Sequence, residues 1–440
     1  MIPTIIISSI TMIILITTII IKPSITIKLK HKELTFQTFW MVCLVGAIVL
    51  LITGLVSKNS LKELTNFSEP MNPFKILILF ISISILSIIL EEAGFFELCA
   101  VHTLKKVKNS QKKLFCLLYL VVTILTMFTS NDIIILTFTP FICYFTKRKK
   151  INPIPYLVGE FVGANTLSLM FIIGNPTNIY LATYYEIGFF EYFKVMAVPT
   201  VVLSLTAFLL VYLIFRRELS KQIVNDEDVT TDVKCNKHLI IVGLIHLITC
   251  TIMLILSSYL NFEMWYICLG FAVSITIYLF AYDLINHEKH EIKVYKKAPW
   301  SLVPFVLSMF IIVLALKEHS VLMHIANWFD SLSPSSIVKT YIYGTSSYFS
   351  CSFINNIPMS VAYASILENS SSGLPALYAT IIGSNLGALL TPVGALAGIM
   401  WLSLLKHHNI KFNFITFMKY GIIISIPTIL VGITVLLVFI

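Results

Sequence analysis

Long apolar runs separated by short polar connections follow one another along the whole chain of 440 residues. Many of these runs reach roughly 20 residues, the length of helix that crosses a bilayer. Residues 2–21 form one such run, and Lys22 closes it. A signal peptide is the weaker interpretation of this run, because no basic segment precedes it and no small-residue cleavage site follows it. The pattern therefore predicts an all-α polytopic membrane protein in which residues 2–21 are a spanning helix.

Two of the apolar segments contain glycine and proline where a spanning helix would normally continue. Residues 163–179 and 383–399 align without a gap at a constant offset of 220 residues. The matched pairs include Gly163 with Gly383, Asn165 with Asn385, and Gly174 with Gly394. Non-helical backbone is tolerated in a bilayer only where protein covers it or where it lines a cavity. Paired interruptions are the best sequence indicator of a secondary transporter's binding site, so we expect two broken transmembrane helices, over 154–183 and 374–405.

Two further segments are predicted to enter and leave the membrane on the same side. Residues 112–146 have apolar arms joined at Thr129-Ser130-Asn131-Asp132, and residues 338–367 turn at 353–358. Helical arms of about 15 residues reach ~22 Å, which is less than the thickness of the hydrocarbon core. These segments therefore predict re-entrant hairpins, with two short spans and a polar outer loop as the alternative. Asp132 favours the hairpin, because an ionisable residue inside a membrane is by default a functional one.

The distribution of positive charge indicates which connections face the cytoplasm. Six clusters, at 22–32, 105–113, 147–150, 216–237, 289–297 and 406–411, hold 24 of the 31 Lys and Arg residues. The connections at 57–72, 184–191, 259–264, 317–337 and 368–373 are poor in base. Cytoplasmic loops carry the excess of Lys and Arg. The two sets alternate along the chain if both hairpins are re-entrant, which places both termini outside.

Composition supports the same class and narrows the chemistry. The chain is 57% hydrophobic and 12% charged, with a mean hydropathy of +0.89, values far from those of a soluble protein. The net charge of +9 is therefore a topology signal and does not indicate nucleic-acid binding. The eight cysteines are scattered without a CxxC pair, which argues against a disulfide framework or a zinc site. We expect no cofactor, no metal and no enzymatic activity, since the sequence also contains no P-loop.

These predictions combine into two halves of opposite orientation. Residues 1–215 form the N-terminal half, with the hairpin 112–146 and the broken helix 154–183. Residues 238–440 form the C-terminal half, with the hairpin 338–367 and the broken helix 374–405. Residues 216–237 are a cytoplasmic linker. The expected fold consists of inverted-topology repeats, each with a re-entrant hairpin and a broken transmembrane helix.

A resemblance to a known family is carried by several motifs that occur in order over nearly the whole chain. They are Ile89-Leu-Glu91-Glu92-Ala-Gly94-Phe95-Phe96, Ser130-Asn131-Asp132, Asn355-Asn356-Ile357-Pro358, Gly383-Ser384-Asn385-Leu386-Gly387, and Thr391-Pro392-Val393-Gly394 with Trp401-Leu402. Together they resemble the ArsB-type arsenite permease branch of the ion transporter superfamily. That superfamily also holds citrate and dicarboxylate carriers and sodium/proton carriers. The resemblance implies a midplane site between the repeats, and efflux of arsenite or antimonite from a prokaryotic plasma (inner) membrane.

The sequence also departs from the arsenite permeases, which keeps other substrates open. Gly387-Ala388-Leu389 stands where they tend to have Gly-Pro-Lys, and Gly394-Ala395-Leu396-Ala397 replaces Gly-Ser-Leu-Ala. Residues 174–178 resemble the Gly-x-Pro-x-Asn of anion and sodium carriers elsewhere in the superfamily. The alternatives are a carrier of a carboxylate or another anion, a Na⁺/H⁺ carrier, and the membrane subunit of an ATP-driven arsenite pump that has a separate cytoplasmic ATPase. A homodimer is also left open.

The predicted binding residues carry no net charge. Most have side chains that form hydrogen bonds, and the glycines leave the backbone N–H and C=O groups accessible. The proposed substrate-binding residues are Thr129, Ser130, Asn131, Asn165, Gly174, Asn175, Thr177, Asn178, Asn355, Asn356, Asn385, Thr391 and Gly394. Free N–H groups at half-helix N-termini suit an oxyanion or an oxyacid. No Lys or Arg occurs in these motifs, so a multivalent anion would lack a counter-charge. The sequence therefore favours a small neutral oxyacid or weakly charged anion as the substrate, surrounded by membrane lipid.

Two acids inside apolar segments are candidates for coupling transport to an ion gradient. Asp132 lies at the first hairpin tip, and Glu160 lies in the first broken helix. Asn356 and Thr380 hold the matching places in the second half, so the acidity is one-sided. A carboxyl group there can take up and release a proton in exchange for substrate. We therefore expect H⁺, or alternatively Na⁺, as the coupling ion.

Overall fold

The computed structural model describes residues 1–21, 24–29, 32–67, 72–106, 110–223, 235–260 and 262–440. Helices make up most of these residues, which confirms the prediction of an all-α protein. The first half contains α1 (Ile2–Ile21), α2 (Phe39–Ile52), α3 (Lys58–Thr65), α4 (Pro73–Glu92), α5 (Phe95–Lys106), α6 (Gln111–Phe128), α7 (Asn131–Arg148), α8 (Ile154–Leu167), α9 (Pro176–Tyr184) and α10 (Phe189–Leu219). The second contains α11 (Lys237–Leu260), α12 (Met264–Asn286), α13 (His290–Lys297), α14 (Leu302–Glu318), α15 (Val321–Ser331), α16 (Ser336–Ile354), α17 (Asn356–Glu368), α18 (Gly373–Leu390), α19 (Leu396–His407) and α20 (Phe414–Phe439).

One small sheet lies where the sequence analysis places only a basic connection. Strands β1 (Ser24–Leu29) and β2 (Lys32–Gln37) pair antiparallel, with Ser24 opposite Gln37 and Leu29 opposite Lys32. Both strands contain alternating Ile, Thr, Leu and Phe, which have a high β-propensity. The stretch is too short and too polar to cross a membrane, so the prediction of a connection between α1 and α2 is unaffected.

The order of elements repeats between the halves. Helices α1 to α10 are followed by α11 to α20, and a single 3₁₀ turn lies at the same place in each series, at Ile172–Gly174 and Pro392–Gly394. Packing repeats as well: α6 packs on α8 as α16 packs on α18, α7 packs on α19 as α17 packs on α9, and α8 packs on α10 as α18 packs on α20. Helices α10 and α20 contact each other between the halves. Each predicted broken helix is therefore present as two helices with an interruption.

The two hairpins are tighter than the sequence indicates. Only Thr129 and Ser130 separate α6 from α7, and only Asn355 separates α16 from α17. Asn131 and Asp132, expected in the connection, already form the first turn of α7. The 18 residues of α6 exceed the expected arm. Among the described residues, eight helices, α6 included, are long and apolar enough to cross a membrane. That these hairpins are re-entrant stays a prediction.

Side-chain hydrogen bonds between connections divide the loops of the described residues into two groups. In one group, the Ser57 hydroxyl donates to Glu318 (2.9 Å), and the Tyr184 hydroxyl donates to Glu368 (2.7 Å). In the other, the Lys297 ammonium donates to Glu91 (3.0 Å). The first group holds loops predicted to lie outside. The second joins the basic cluster at 289–297 to the end of α4, and both are predicted to lie on the cytoplasmic side.

Helices α16 and α18 pack with their backbones in contact. A Cβ atom at Gly383 would collide with the carbonyl oxygen of Gly344 and with the Ser347 hydroxyl. At the matching position of the first half, a Cβ on Gly163 would meet side chains only, the nearest at 2.9 Å on Thr123. The second hairpin is therefore held against its broken helix more closely than the first.

This difference predicts that Gly383→Ala destabilises the protein. Overpacking at a fixed site costs about 1–3 kcal/mol, more than the gain of up to ~1 kcal/mol that alanine brings to a helix interior. Thermal unfolding of the purified protein should show a lower Tm than the wild type. Gly270→Ala is the matched control, because Gly270 is also helical but nothing lies within 4 Å of an added Cβ; its Tm should be unchanged or raised. An unchanged Tm for Gly383→Ala would contradict the close contact.

Candidate functional site

The first helix break is formed by three adjacent residues with different tasks. Gly174 allows the backbone to approach Ser168 closely, because a Cβ atom at this position would collide with the carbonyl oxygen of Ser168. Pro176 opens α9 at a position where its missing N–H breaks no bond. Asn175 caps α9, and its Oδ1 accepts from the Thr177 backbone N–H at 3.1 Å. The residues after the break therefore form a regular, capped N-terminus of α9.

The second break has the same backbone form but different side chains. A 3₁₀ turn at Pro392–Gly394 connects α18 to α19. Ala395, Ala397 and Gly398 stand where the first break has Asn175, Thr177 and Asn178. The break is instead tied to the second hairpin, because the Thr391 hydroxyl donates to the carbonyl oxygen of Ser352. Polar side chains of the two breaks are therefore concentrated in the first one.

The second hairpin tip contains a strained residue. Asn355 has φ 75° and ψ 153°, a region that non-glycine residues rarely adopt and that costs about 1–3 kcal/mol. Its side chain holds the conformation: Nδ2 donates to the carbonyl oxygen of Val393 (3.1 Å), and Oδ1 accepts from the Ile357 backbone N–H (3.3 Å). Strain of this kind clusters at functional sites. The tip is fixed on the second break.

One connected series of hydrogen bonds runs from the first hairpin tip to the second. It begins where Asn131 Nδ2 donates to Asn165 Oδ1 (3.1 Å). Ser168 continues it, because its hydroxyl contacts the carbonyl oxygen of Asn165 (3.2 Å) and Oδ1 of Asn385 (3.3 Å). Asn385 Nδ2 then donates to Asn178 Oδ1 at 2.8 Å. The series thus crosses from the first half of the chain into the second.

The series ends at the first break, against the second hairpin. The Thr177 hydroxyl lies 3.1 Å from the Ser384 hydroxyl and donates to Asn175 Oδ1 at 3.1 Å. Asn356 Nδ2 donates to the same Asn175 oxygen at 3.4 Å. The structure therefore brings together most of the amides predicted from sequence, and it places them where both halves meet.

Some predicted residues remain outside this series. The Thr129 hydroxyl bonds to the carbonyl oxygen of Leu125 in its own helix (2.8 Å). The Ser130 hydroxyl and the Nδ2 of Asn175 are buried and have no hydrogen-bond partner in the described part of the chain. Gly174 and Gly394 contribute space, since a Cβ at Gly394 would lie 2.7 Å from the Gly387 carbonyl oxygen.

The site is closed in this structure. Asn165, Asn175, Asn178, Asn355 and Asn385 are all 0% exposed, and Asn356 is 5% exposed. Solvent therefore does not reach the amides that cross between the halves. A ligand can reach them only if a hairpin or one half of the chain moves.

The two intramembrane acids have different surroundings. Glu160 is buried, and both of its carboxylate oxygens accept from the Thr139 hydroxyl at 3.0 Å. Asp132 is half-buried in the first turn of α7, and its backbone N–H donates to Asn131 Oδ1 at 3.0 Å. Asp132 and Thr139 are seven residues apart and thus on one face of α7, about 10 Å along its axis. The two acids therefore follow the same side of this helix.

Sequence reasoning missed four residues that the structure places in the site. Ser168 and Ser384 lie within the aligned motifs, but neither is an amide and neither matches a polar residue in the other half. Ser352 donates to the carbonyl oxygen of Gly387 (3.0 Å), and Cys351 donates to that of Ser384 (2.9 Å). The absence of paired positions explains why the repeat alignment gave them no signal.

Comparisons with known proteins agree with this architecture. The family model described as citrate transporter matches residues 35–374. The arsenical pump membrane protein of Yersinia enterocolitica is 29% identical over 378 residues, which cover 80% of this chain and 83% of that protein. The arsenical pump membrane protein of Escherichia coli strain K12 is 26% identical over 404 residues, 88% of this chain and 90% of that protein.

A solved structure shows that the fold is shared. The YdaH transporter of Alcanivorax borkumensis, a crystal structure described as revealing an unusual topology, superposes with a TM-score of 0.55 at 13% sequence identity. The superposition covers 99% of this chain and 98% of that one. At this identity the likeness concerns the fold alone.

The resemblance seen in the motifs is confirmed by the length of these matches. Apolar helices long enough to span a membrane and relatives named as transporters make the chain an integral membrane protein with a transporter fold. The chain belongs to the citrate transporter family and is an ArsB-type member of the ion transporter superfamily.

Proposed function

We propose that the protein is a secondary transporter that exports a small neutral oxyacid, arsenite or antimonite, in exchange for protons. The observation that carries this proposal is the series of buried, uncharged amides and hydroxyls that joins both hairpin tips to the first break. Amides provide paired donors and acceptors. A site lined by such amides can bind a substrate whose hydroxyl groups both donate and accept hydrogen bonds.

The charge of the site supports a neutral or weakly charged substrate. No Lys or Arg contacts the site amides in the hydrogen bonds and ion pairs of the described residues. A di- or trivalent anion buried here would have no counter-ion, and an unpaired buried charge is strongly unfavourable. Arsenite in its protonated form carries no charge and avoids that cost. The names of the two bacterial relatives, both arsenical pump membrane proteins, support the same substrate.

Two acids, Asp132 on α7 and Glu160 on α8, support protons as the coupling ion. Asp132 stands at the hairpin tip beside the amide series, and Glu160 is reached through Thr139 further along the same face. This spacing gives a path from the site toward the end of α7 that carries Lys147 and Arg148. Asp132 is the proposed group that exchanges its proton when substrate binds. Glu160 is the second candidate.

The proposed topology is an inverted repeat in a bacterial plasma membrane, with both termini outside. Residues 1–215 and 238–440 are the two halves, joined on the cytoplasmic side by 216–237. Each half then has five crossings, counted as the first, second and fourth helices, the broken helix and the last helix. An odd number of crossings inverts the second half. The separation of loop contacts into two groups supports this arrangement.

Cysteine labelling on intact cells tests the topology. Lys289 and Ser335 are both exposed connection residues, and the proposal places the first in the cytoplasm and the second outside. A membrane-impermeant maleimide should label Ser335→Cys and not Lys289→Cys, after subtraction of the labelling of the wild-type protein. Labelling of Lys289→Cys from outside in intact cells would invert or refute the arrangement.

Two other functions are supported by specific observations. The family model carries the description citrate transporter, which favours a carboxylate as the alternative substrate. The relatives named pump membrane proteins favour a membrane subunit that depends on a separate ATPase. The first alternative changes the substrate only, whereas the second changes the source of energy.

Reconstitution of the single chain separates these possibilities. Proteoliposomes that contain only this protein should move arsenite under an imposed pH gradient without ATP, because the proposed coupling group lies in the chain itself. Citrate serves as the second substrate, and liposomes without protein serve as the control. Movement of citrate and not arsenite would establish the carboxylate alternative. Failure of both without ATP, with recovery in the presence of an ATPase subunit, would contradict secondary transport.

Asp132→Asn tests the coupling group, because asparagine keeps the shape and the hydrogen bonds but cannot ionise. Accumulation driven by a pH gradient should fall to the level of empty liposomes. Exchange of labelled for unlabelled substrate should persist, since exchange needs no net proton movement. Glu186→Gln, which removes an exposed acid, is the control and should behave like the wild type. Equal gradient-driven accumulation in Asp132→Asn and the wild type would exclude Asp132 and leave Glu160.

A further inference from the structure

Two junctions of half-helices exist in the structure, and their chemistry differs. Junction 1 is formed by the N-termini of α9 and α17, which meet where Asn356 Nδ2 donates to Asn175 Oδ1 at 3.4 Å. Junction 2 is its counterpart in the repeat, formed by the packed helices α7 and α19, which begin at Asn131 and Leu396. Helix N-termini carry partial positive charge and free N–H groups. The partial positive charge of the helix N-termini could therefore attract an oxygen atom to either junction.

Junction 1 contains a buried donor without a partner. The Asn175 oxygen accepts from the Thr177 backbone N–H (3.1 Å), the Thr177 hydroxyl (3.1 Å) and the Asn356 amide (3.4 Å). This saturation fixes the orientation of the amide. Its nitrogen is 0% exposed with the rest of the residue and donates to nothing among the described residues. An unpaired buried donor is unfavourable, so its retention points to an acceptor that arrives with a ligand.

The side-chain amide of Asn178 cannot rotate to accept a hydrogen bond from the Asn175 nitrogen, because both of its ends are already bonded. Asn178 Nδ2 donates to the carbonyl oxygens of Ser168 (2.9 Å) and Phe171 (3.3 Å). Asn178 Oδ1 already accepts from Asn385 at 2.8 Å. The frame around the Asn175 nitrogen is therefore rigid. Asn356, at 5% exposure, is the less deeply buried of the two junction residues, so a movement of the second hairpin would open the site on this side.

Junction 2 lacks this chemistry. Ala395 and Ala397 replace Asn175 and Thr177, so neither of these two positions offers a side-chain donor. Helix α7 begins with Asn131 as α17 begins with Asn356, but its second residue is Asp132 where α17 has Ile357. A carboxylate there repels the oxygen of an anion and competes with any acceptor for the helix N–H groups. Among the described residues of this tip, the Ser130 hydroxyl is a buried donor without a partner.

We propose that junction 1 binds an oxygen atom of the substrate, with the Asn175 amide nitrogen as the donor and Asn356 as the second polar contact. The two repeats then have different tasks, because the acid-free junction binds the substrate and the acidic junction serves coupling. This inference rests on the proposed function, since it assigns the substrate of that function to one of its two half-sites. The ligand class is an oxygen acceptor, either the oxygen of a neutral oxyacid or a carboxylate oxygen.

Asn175→Asp is the sharpest test, because aspartate keeps the oxygen that caps α9 and replaces the donor nitrogen with a second oxygen, which carries a negative charge when the group is ionised. Arsenite and citrate are the probes, and binding is measured by calorimetry on the full chain in lipid nanodiscs. Whichever probe binds the wild type should bind Asn175→Asp at least about tenfold more weakly, as expected for loss of one hydrogen bond to a buried group. Asn356→Ala should weaken binding in the same direction. Thermal unfolding of each variant shows whether it is folded.

A control variant makes the outcomes distinct. Asn286→Ala removes an exposed asparagine that bonds only within its own helix, to the Tyr282 carbonyl oxygen, and should bind like the wild type. Wild-type affinity in folded Asn175→Asp would overturn this assignment and leave the proposed function standing. A wild type that binds neither probe would overturn the proposed function, and the assignment with it.

Discussion

The architecture depends on one constraint, which is that backbone N–H and C=O groups freed inside a bilayer must find partners in the protein. Two apolar helices of this chain stop and restart, at Ile172–Gly174 and Pro392–Gly394, and the proposed topology places both interruptions inside the bilayer. The first break satisfies its backbone with its own side chains, since Asn178 donates to the carbonyl oxygens of Ser168 and Phe171. The second receives donors from the hairpin beside it, since Asn355 donates to the carbonyl oxygen of Val393 and Ser352 donates to that of Gly387 in α18. The packing of hairpins on breaks follows from this need.

The same constraint explains how a structural feature becomes a transport site. Groups that stabilise a broken helix are donors and acceptors held in a dry environment, where a hydrogen bond to a ligand is stronger than in water. In this chain they are uncharged and buried, so the closed site excludes water. The two repeats have diverged under this shared requirement. One retains amides at its break, while the other has alanine and glycine there and an acid at the hairpin tip that packs near it.

Much of the fold could be predicted from sequence because membranes impose long apolar runs and leave Gly and Pro as visible interruptions. The alignment of 163–179 with 383–399 indicated an interruption in each segment, and the structure ends α8 at Leu167 and starts α9 at Pro176 within the first of them. Hairpin tips were harder, because helical dihedrals continue through polar residues such as Asn131 when a side chain can cap them. The contacts of Ser168, Cys351 and Ser352 could not be predicted, since they depend on which helices pack together and not on any local pattern.

The central claim is that the substrate binds among the amides of the two breaks and hairpin tips. The most direct measurement is an anomalous difference map at the arsenic absorption edge, from crystals of the full chain grown with arsenite. The account predicts a peak within hydrogen-bonding distance, about 3.5 Å or less, of the site amides. A peak elsewhere, for example among the lipid-facing side chains of α11 and α12, from a protein shown to transport arsenite would contradict it.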